Sequence, residues 1–324
     1  MYFQKVSVEL QGTKDDVLFS MSKSINLNKC SPEMDNYTPP KKRAKPRWAI
    51  VALTRKSDIL HKRNQLLAAQ IRPYAKDHDV TVLIFSELQF GQQFEKDTVG
   101  VFAGVAKVQF VDTRKDGFPE GNGKYRYGYK YMCKFFSVDL YKYLTDYDYY
   151  WRVDSDDFME KLTYDLFAWV EREDVHYGWA ARKIEGHGAT RRTLPPWVAA
   201  YANKCQIWPS ALMDDPLKKC FNFYNNFHVG KVSFFQRPDV MHFLKEVEAS
   251  GGIDRHRWGD STVQAYAVRL FMDSKKIRML PDLSYVHKSH GMKLISTFNR
   301  GKGGTLPMAL PYWVDPAHEG KDWL

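Results

Sequence analysis

The sequence predicts an α/β fold: one mixed sheet with helices on both faces. Continuous apolar runs at residues 48–53 and 80–85 have strand length, and their unbroken apolarity suits strands buried on both sides. The intervening segment, from about residue 59 to 74, carries Leu60, Leu66, Leu67 and Ile71 near helical spacing. An aromatic run at residues 149–153 ends on a group of acidic residues, and ligands in such sheets bind where strands end.

The elements follow in order. Residues 1–46 hold Pro39-Pro40, a basic run and mixed polar composition, and read as an N-terminal arm or stem. Residues 47–290 form the expected catalytic domain, and residues 291–324, rich in glycine and proline, a C-terminal extension. Residues 105–111 suggest a third strand, so strand and helix alternate in doubly wound fashion. Residues 129–144 read as an amphipathic helix with Met132, Phe136, Leu140 and Tyr143 on one stripe. Residues 226–235 read as a strand and 240–247 as a helix. Asp260 is placed to cap a helix ending near Met272, and residues 277–280 form a short final strand.

With 324 residues and 44% hydrophobic content, the chain can bury a large core, and no apolar run approaches the roughly 20 residues that span a bilayer. The N-terminus lacks a signal-peptide layout. Lys and Arg number 48 against 38 Asp and Glu. That excess suits an anionic partner or simply a solvated basic surface, and part of it lies in the run at 41–47. A nucleic-acid partner is not expected. Cys30, Cys133, Cys205 and Cys220 lack zinc spacing; either Cys205 and Cys220 pair or all four stay reduced. Asn36-Tyr37-Thr38 is a glycosylation sequon.

Asp154-Ser155-Asp156 follows the aromatic strand directly. Carboxylates at i and i+2 of an extended segment can face one side, and with Asp157 close by they form an oxygen-rich site for Mn²⁺ or Mg²⁺. A nucleoside diphosphate would complete the shell, and the metal would neutralise charge as it departs. An aspartyl-phosphate phosphatase would carry its acidic pair after the first strand instead, and no phosphate-binding P-loop is present.

Several blocks in order resemble the fungal α-1,2-mannosyltransferases of glycosyltransferase family 15. They are Tyr129-Lys130-Tyr131-Met132-Cys133-Lys134-Phe135, Tyr149-Tyr150-Trp151-Arg152-Val153-Asp154, Tyr224-Asn225-Asn226-Phe227, Arg257-Trp258-Gly259-Asp260 and Tyr285-Val286-His287, with Leu53-Thr54-Arg55-Lys56-Ser57-Asp58 as the opening strand and loop. The resemblance implies a GT-A (Rossmann-like) fold, a GDP-mannose donor, Mn²⁺, a glycan or glycoprotein acceptor and retention of anomeric configuration. It also implies the Golgi lumen if an anchor has been removed; without one, the cytoplasm is expected. Metal ligands are then expected at Asp154, Asp156 and His287, and donor contacts at Arg55, Asp58, Tyr129, Asp154 and Ser155.

His228 and Asp260 are the expected catalytic residues. His228 stands where the family carries a Glu near the reacting sugar carbon. A histidine there suits either a general base, as an inverting transfer from a UDP-sugar such as UDP-xylose or UDP-glucose would need, or a shaper of the sugar pocket. Asp260 either faces the sugar or caps its helix. A sugar-binding relative without catalysis is the alternative from another class.

Overall fold

The computed structural model describes residues 30–54, 57–114, 127–207, 220–287 and 292–296. Its centre is a seven-stranded sheet in the order β10-β6-β9-β4-β1-β2-β3. Strands β1 (Arg47–Leu53), β2 (Asp79–Ser86), β3 (Lys107–Asp112) and β4 (Tyr149–Val153) run parallel. Strand β9 (Phe227–Lys231) is antiparallel between β4 and β6 (Tyr177–Trp179), and β10 (Ile277–Met279) lies parallel to β6 at the edge. A second sheet pairs β5 (Asp157–Leu162), β11 (Leu283–His287) and β12 (Met292–Ser296), all antiparallel. A small ribbon joins β7 (Arg182–Ile184) to β8 (Phe221–Phe223).

The unbroken apolar runs have a direct physical reading. Side chains alternate across a strand, so Trp48, Ile50 and Ala52 enter one core while Ala49 and Val51 enter the other. The first core lies under α1 (Ser57–Ala75) and α4 (Leu166–Arg172), and holds Trp151 and Phe227. The second lies under α3 (Tyr127–Lys134), α5 (Gly188–Cys205), α6 (Val232–Phe235), α7 (Pro238–Ala249) and α9 (Asp260–Phe271), and holds Tyr150 and Tyr177. Helices α2 (Gln92–Val101) and α8 (Gly252–His256) complete the set. Gly230 faces Tyr150 in the β4–β9 register, and a Cβ there would lie 2.4 Å from the tyrosine ring. Glycine is therefore what lets that ring lie across β9 towards His228.

Several expectations are corrected. The helix expected over 129–144 is α-helical only to Lys134, then passes through a π turn (Phe135–Asp139) and a 3₁₀ turn (Leu140–Tyr143). The strand expected over 226–235 stops at Lys231, and residues 232–235 turn helical. Strand β10 is not the last, because β11 and β12 follow. Asp260 does not cap α9: Gly259 is the N-cap, and the carboxylate is used elsewhere. The cysteine pairing differs too. Cys30 is bonded to Cys205, while Cys133 and Cys220 are free and buried. That bond, Tyr37 Oη donating to the Ser233 carbonyl at 3.2 Å and Arg43 on Asp148 at 2.9 Å all fasten residues 30–43 to the domain. Among the described residues no helix is long and apolar enough to cross a membrane.

Candidate active site

Strand β4 delivers two functional groups at its carboxyl end. Val153 is the last strand residue, and the Asp157 N–H donates to the Asp154 carbonyl (3.1 Å), closing a turn that leads into β5. The Asp154 N–H donates to the Asn226 carbonyl at 3.0 Å, tying the turn to the chain entering β9. In the second sheet His287 stands opposite Asp157. One ligand atom each from Asp156, Asp157 and His287 lie within 4.8 Å of one another.

The chemistry of this trio fits a divalent cation such as Mn²⁺: two hard carboxylate oxygens and one borderline imidazole nitrogen. His287 Nδ1 lies 2.7 Å from Asp157 Oδ1 and 3.7 Å from Asp156 Oδ1. Asn226 Nδ2 donates to the same Asp157 oxygen at 2.7 Å, and Tyr285 Oη donates to Asn226 Oδ1 at 3.1 Å, so the asparagine is itself held. Burial pushes Asp157 up to about 7, with His287 pulling the other way and the Asp154 and Asp156 charges adding to the rise. Burial works against the His287 imidazolium, yet the hydrogen bond and charge of Asp157, with Asp156 and Asp154, raise its pKa overall. Burial first, and the neighbouring carboxylates after it, make the ionised Asp157 costly. Behind it, the buried Arg63 donates to the Val153 carbonyl and, at 2.7 Å, to Asn64 Oδ1.

Asp154 is placed differently from the metal trio. Arg152 holds it with two bonds, Nε to Oδ1 at 2.7 Å and Nη2 to Oδ2 at 3.0 Å. The third Arg152 nitrogen donates to Asp260, which also accepts from Asn225 Nδ2 at 2.9 Å. The guanidinium lies 3.4 Å over the Phe136 ring and is 1% exposed. Desolvation works against its charge, but Asp154 and Asp260 outweigh it and raise the pKa further. Arg152 therefore stays cationic and joins two expected site residues, Asp154 and Asp260, in one buried ion network.

His228 requires a correction. It sits in β9 with no exposure, one ring nitrogen 3.0 Å from Tyr150 Oη and the other 2.7 Å from the Asn225 carbonyl. Burial, then the nearby Arg152 charge, drives its pKa down to about 3. A general base must reach the proton it takes, and this ring is enclosed with both nitrogens engaged. Neither does it line an open sugar pocket; it is a polar element of the core.

Of the other expected residues, Ser155 is half-buried in the turn, and Tyr129 lies at the start of α3 beneath the Arg257 guanidinium (4.3 Å to the ring centre). Arg55 lies outside the described residues, and for Asp58 only the backbone, within α1, is described. Arg152, Asn226 and Tyr224 were not singled out as site residues from sequence, although all three stand inside the quoted blocks. Tyr224 meets the His287 ring edge-on at 5.7 Å. Arg63 had no sequence signal beyond an Arg on the buried side of a helix.

Comparisons with known proteins converge on one family. The model of the glycolipid 2-alpha-mannosyltransferase family matches residues 122–293, more than half the chain. A glycolipid 2-alpha-mannosyltransferase of Candida albicans is 27% identical over 271 residues, covering 74% of this chain and 62% of that relative's length. An alpha-1,2 mannosyltransferase of Saccharomyces cerevisiae is 25% identical over 284 residues, covering 79% and 71%. Among solved structures, core-mannan synthase A of Aspergillus fumigatus in its Mn/GDP form superposes with a TM-score of 0.65 at 22% identity, covering 77% of each chain. A mannosyltransferase of S. cerevisiae gives 0.68 at 18% identity, covering 89% and 86%, and these likenesses place the fold as GT-A. The chain belongs to the glycolipid 2-alpha-mannosyltransferase family, glycosyltransferase family 15.

Proposed function

We propose that the protein is a metal-dependent mannosyltransferase, moving mannose from GDP-mannose to a hydroxyl of a glycan or glycoprotein. The observation that carries this reading is the Asp156–Asp157–His287 cluster at the end of β4 in a chain of this family. Mn²⁺ held there would offset charge on the departing diphosphate. Asp156, Asp157 and His287 would hold the ion, and Asn226 would orient Asp157. Arg152 holds Asp154 and Asp260 in place at the border of the cluster. Arg55, Asp58, Tyr129 and Ser155 are proposed donor contacts, within a catalytic domain spanning about residues 47–290.

Retention of configuration is part of the proposal. The inverting alternative needs a base, His228 or a nearby carboxylate, and the enclosure of His228 speaks against the first. A luminal, Golgi-type location is proposed, and the Cys30–Cys205 bond suits an oxidising compartment.

The test is direct. With GDP-mannose, Mn²⁺ and methyl α-mannoside, the expected product is an α-linked dimannoside by NMR. Chelator should abolish its formation, and UDP-sugars should not replace the donor. Transfer from a UDP-sugar with inversion, or full activity in chelator, would overturn the reading.

A further inference from the structure

Residues 30–43 strap themselves to the domain, and one motif within them plays no part in the site described above. Asn36-Tyr37-Thr38 is the one Asn-x-Ser/Thr sequence in the chain. Its side chains divide between two environments. Tyr37 is half-buried with its hydroxyl on the Ser233 carbonyl, whereas Asn36 and Thr38 on either side of it are exposed. Asn36 closes the 3₁₀ turn Pro32–Asn36, and the backbone becomes extended at Tyr37 (φ −72°, ψ 119°). The ring thus pins the middle of the motif and leaves both ends in solvent, so a bulky polar group on Asn36 would displace no buried contact. The same short segment carries Cys30, bonded to Cys205. A disulfide and an accessible acceptor asparagine belong to the same kind of compartment.

We infer that Asn36 carries an N-linked glycan, rooted at the end of the sheet opposite the metal cluster. Lys231 pairs with Tyr149, the first residue of β4, and the Val232 N–H donates to the Asp148 carbonyl at 2.9 Å. Ser233, where Tyr37 docks, therefore lies at the amino end of β4. The acidic turn leaves the carboxyl end, after Val153, five strand residues or about 15 Å away. A glycan on Asn36 leaves that turn open to donor and acceptor. The group arrives from a lipid-linked oligosaccharide diphosphate, through the cell's own transfer enzyme. A bond forms between the first sugar's anomeric carbon and Asn36 Nδ2, which gives up one proton. The bond from that carbon to the diphosphate oxygen breaks, and the lipid diphosphate departs with its electron pair. The inference rests on the luminal location proposed above, and not on which sugar the protein transfers.

The experiment isolates the whole protein, wild type and variants, from the cells that naturally make it. Treatment with a peptide N-glycosidase in heavy-oxygen water should convert Asn36 to an aspartate bearing the label, read by peptide mass spectrometry, and should sharpen and speed the protein's band on a gel. Asn36→Gln and Thr38→Ala should each abolish that change in mobility, while Thr38→Ser keeps it, because only a hydroxyl at the third position is required. The two abolishing variants alter different exposed side chains, so should one fail to fold the other carries the measurement. Alkylation without reduction reads the cysteines in the same samples. A bare Asn36 in protein whose Cys30 and Cys205 resist alkylation overturns the glycan and leaves the luminal reading standing. A bare Asn36 with all four cysteines alkylated removes both. A glycosidase-sensitive band that survives Asn36→Gln overturns the assignment to this residue.

Discussion

The middle of β9 and the end of β11 each bury a histidine, and the two behave oppositely. His228 stands across the ladder from Arg152, and His287 stands across from Asp157. Burial disfavours the charged ring in both places. Beside a guanidinium the penalty deepens, the Asn225 carbonyl and the Asp260 charge offset only part of it, and His228 falls to about 3. Beside carboxylates the penalty is outweighed, and the His287 pKa rises. Burial alone therefore does not decide what a histidine can do; the charge on the facing strand does. The first is a neutral strut within the sheet, the second a group that shares protons with acids and can exchange them for a metal.

The comparison breaks most visibly at Asp157. Replacing it with Asn removes the partner that sets His287 and one ligand of the trio. Metal-dependent transfer should fall by about a hundredfold or more, the loss typical of removing a key electrostatic group. Calorimetry with Mn²⁺ should show the matching loss of affinity, and thermal melting should confirm the fold. Unaltered Mn²⁺ binding would mean that the cluster at the end of β11 is not the metal site.

The next effect lies at His228 and is one of stability. His228→Asn leaves Tyr150 Oη and the Asn225 carbonyl short of partners in the core, at a cost of about 1–3 kcal/mol in denaturant unfolding. Its pH signature is specific. The folded pKa of about 3 lies below the ordinary 6.5, so between those values the unfolded chain binds more protons. The contribution of this proton should be complete above pH 6.5 and drop as pH falls towards 3, by up to about 1.4 kcal/mol per pH unit. Asp157, raised to about 7, contributes in the opposite sense, so the difference between wild type and variant is what is read. His176, lowered to about 4 by burial and then by Lys231, adds a second contribution, so the variant's slope should be shallower but not flat. An unchanged slope would contradict the buried neutral ring.

The smallest effect is expected at Tyr150. Tyr150→Phe keeps the ring over Gly230 and deletes only the hydroxyl at His228, costing about 0.5–1.5 kcal/mol. Because neither group belongs to the cluster, the pH–rate profile should match wild type. A shifted profile would reconnect β9 to the reaction.

Much of the central sheet was legible because its strands are continuous apolar runs, and β1, β2 and β4 fall within a residue or so of their expected ends. Strands β6, β7 and β8 were not, since three-residue pairings carry no periodicity. Their apolar residues are also too few to stand out in an aromatic-rich chain. Helix α5 was hidden by Pro195 and Pro196, which argue against a helix interior. The acidic turn and His287 were legible as residues but not as a geometry. Whether Asp154 or Asp157 joins the trio depends on Arg152, whose side chain chooses Asp154 through a contact that spacing does not encode. His228 misled because sequence shows a residue's kind and neighbours in the chain, not its enclosure by Tyr177 and Tyr150.

The bond between Asp157 and His287 spans 130 positions of sequence. Strand β5 has β11 as its partner in the second sheet, so without β11 that ladder is missing. Closing so long a stretch of chain carries a larger entropic cost than the local contacts around α1 and β2. The trio consequently does not exist in any form whose β11 is undocked. Manganese captured at this site therefore reports that the second sheet has assembled, and by mass action the ion would hold β11 in place. Capacity to bind metal and completion of this part of the fold become one event, so a misassembled molecule neither hoards the ion nor presents half a site to a sugar nucleotide.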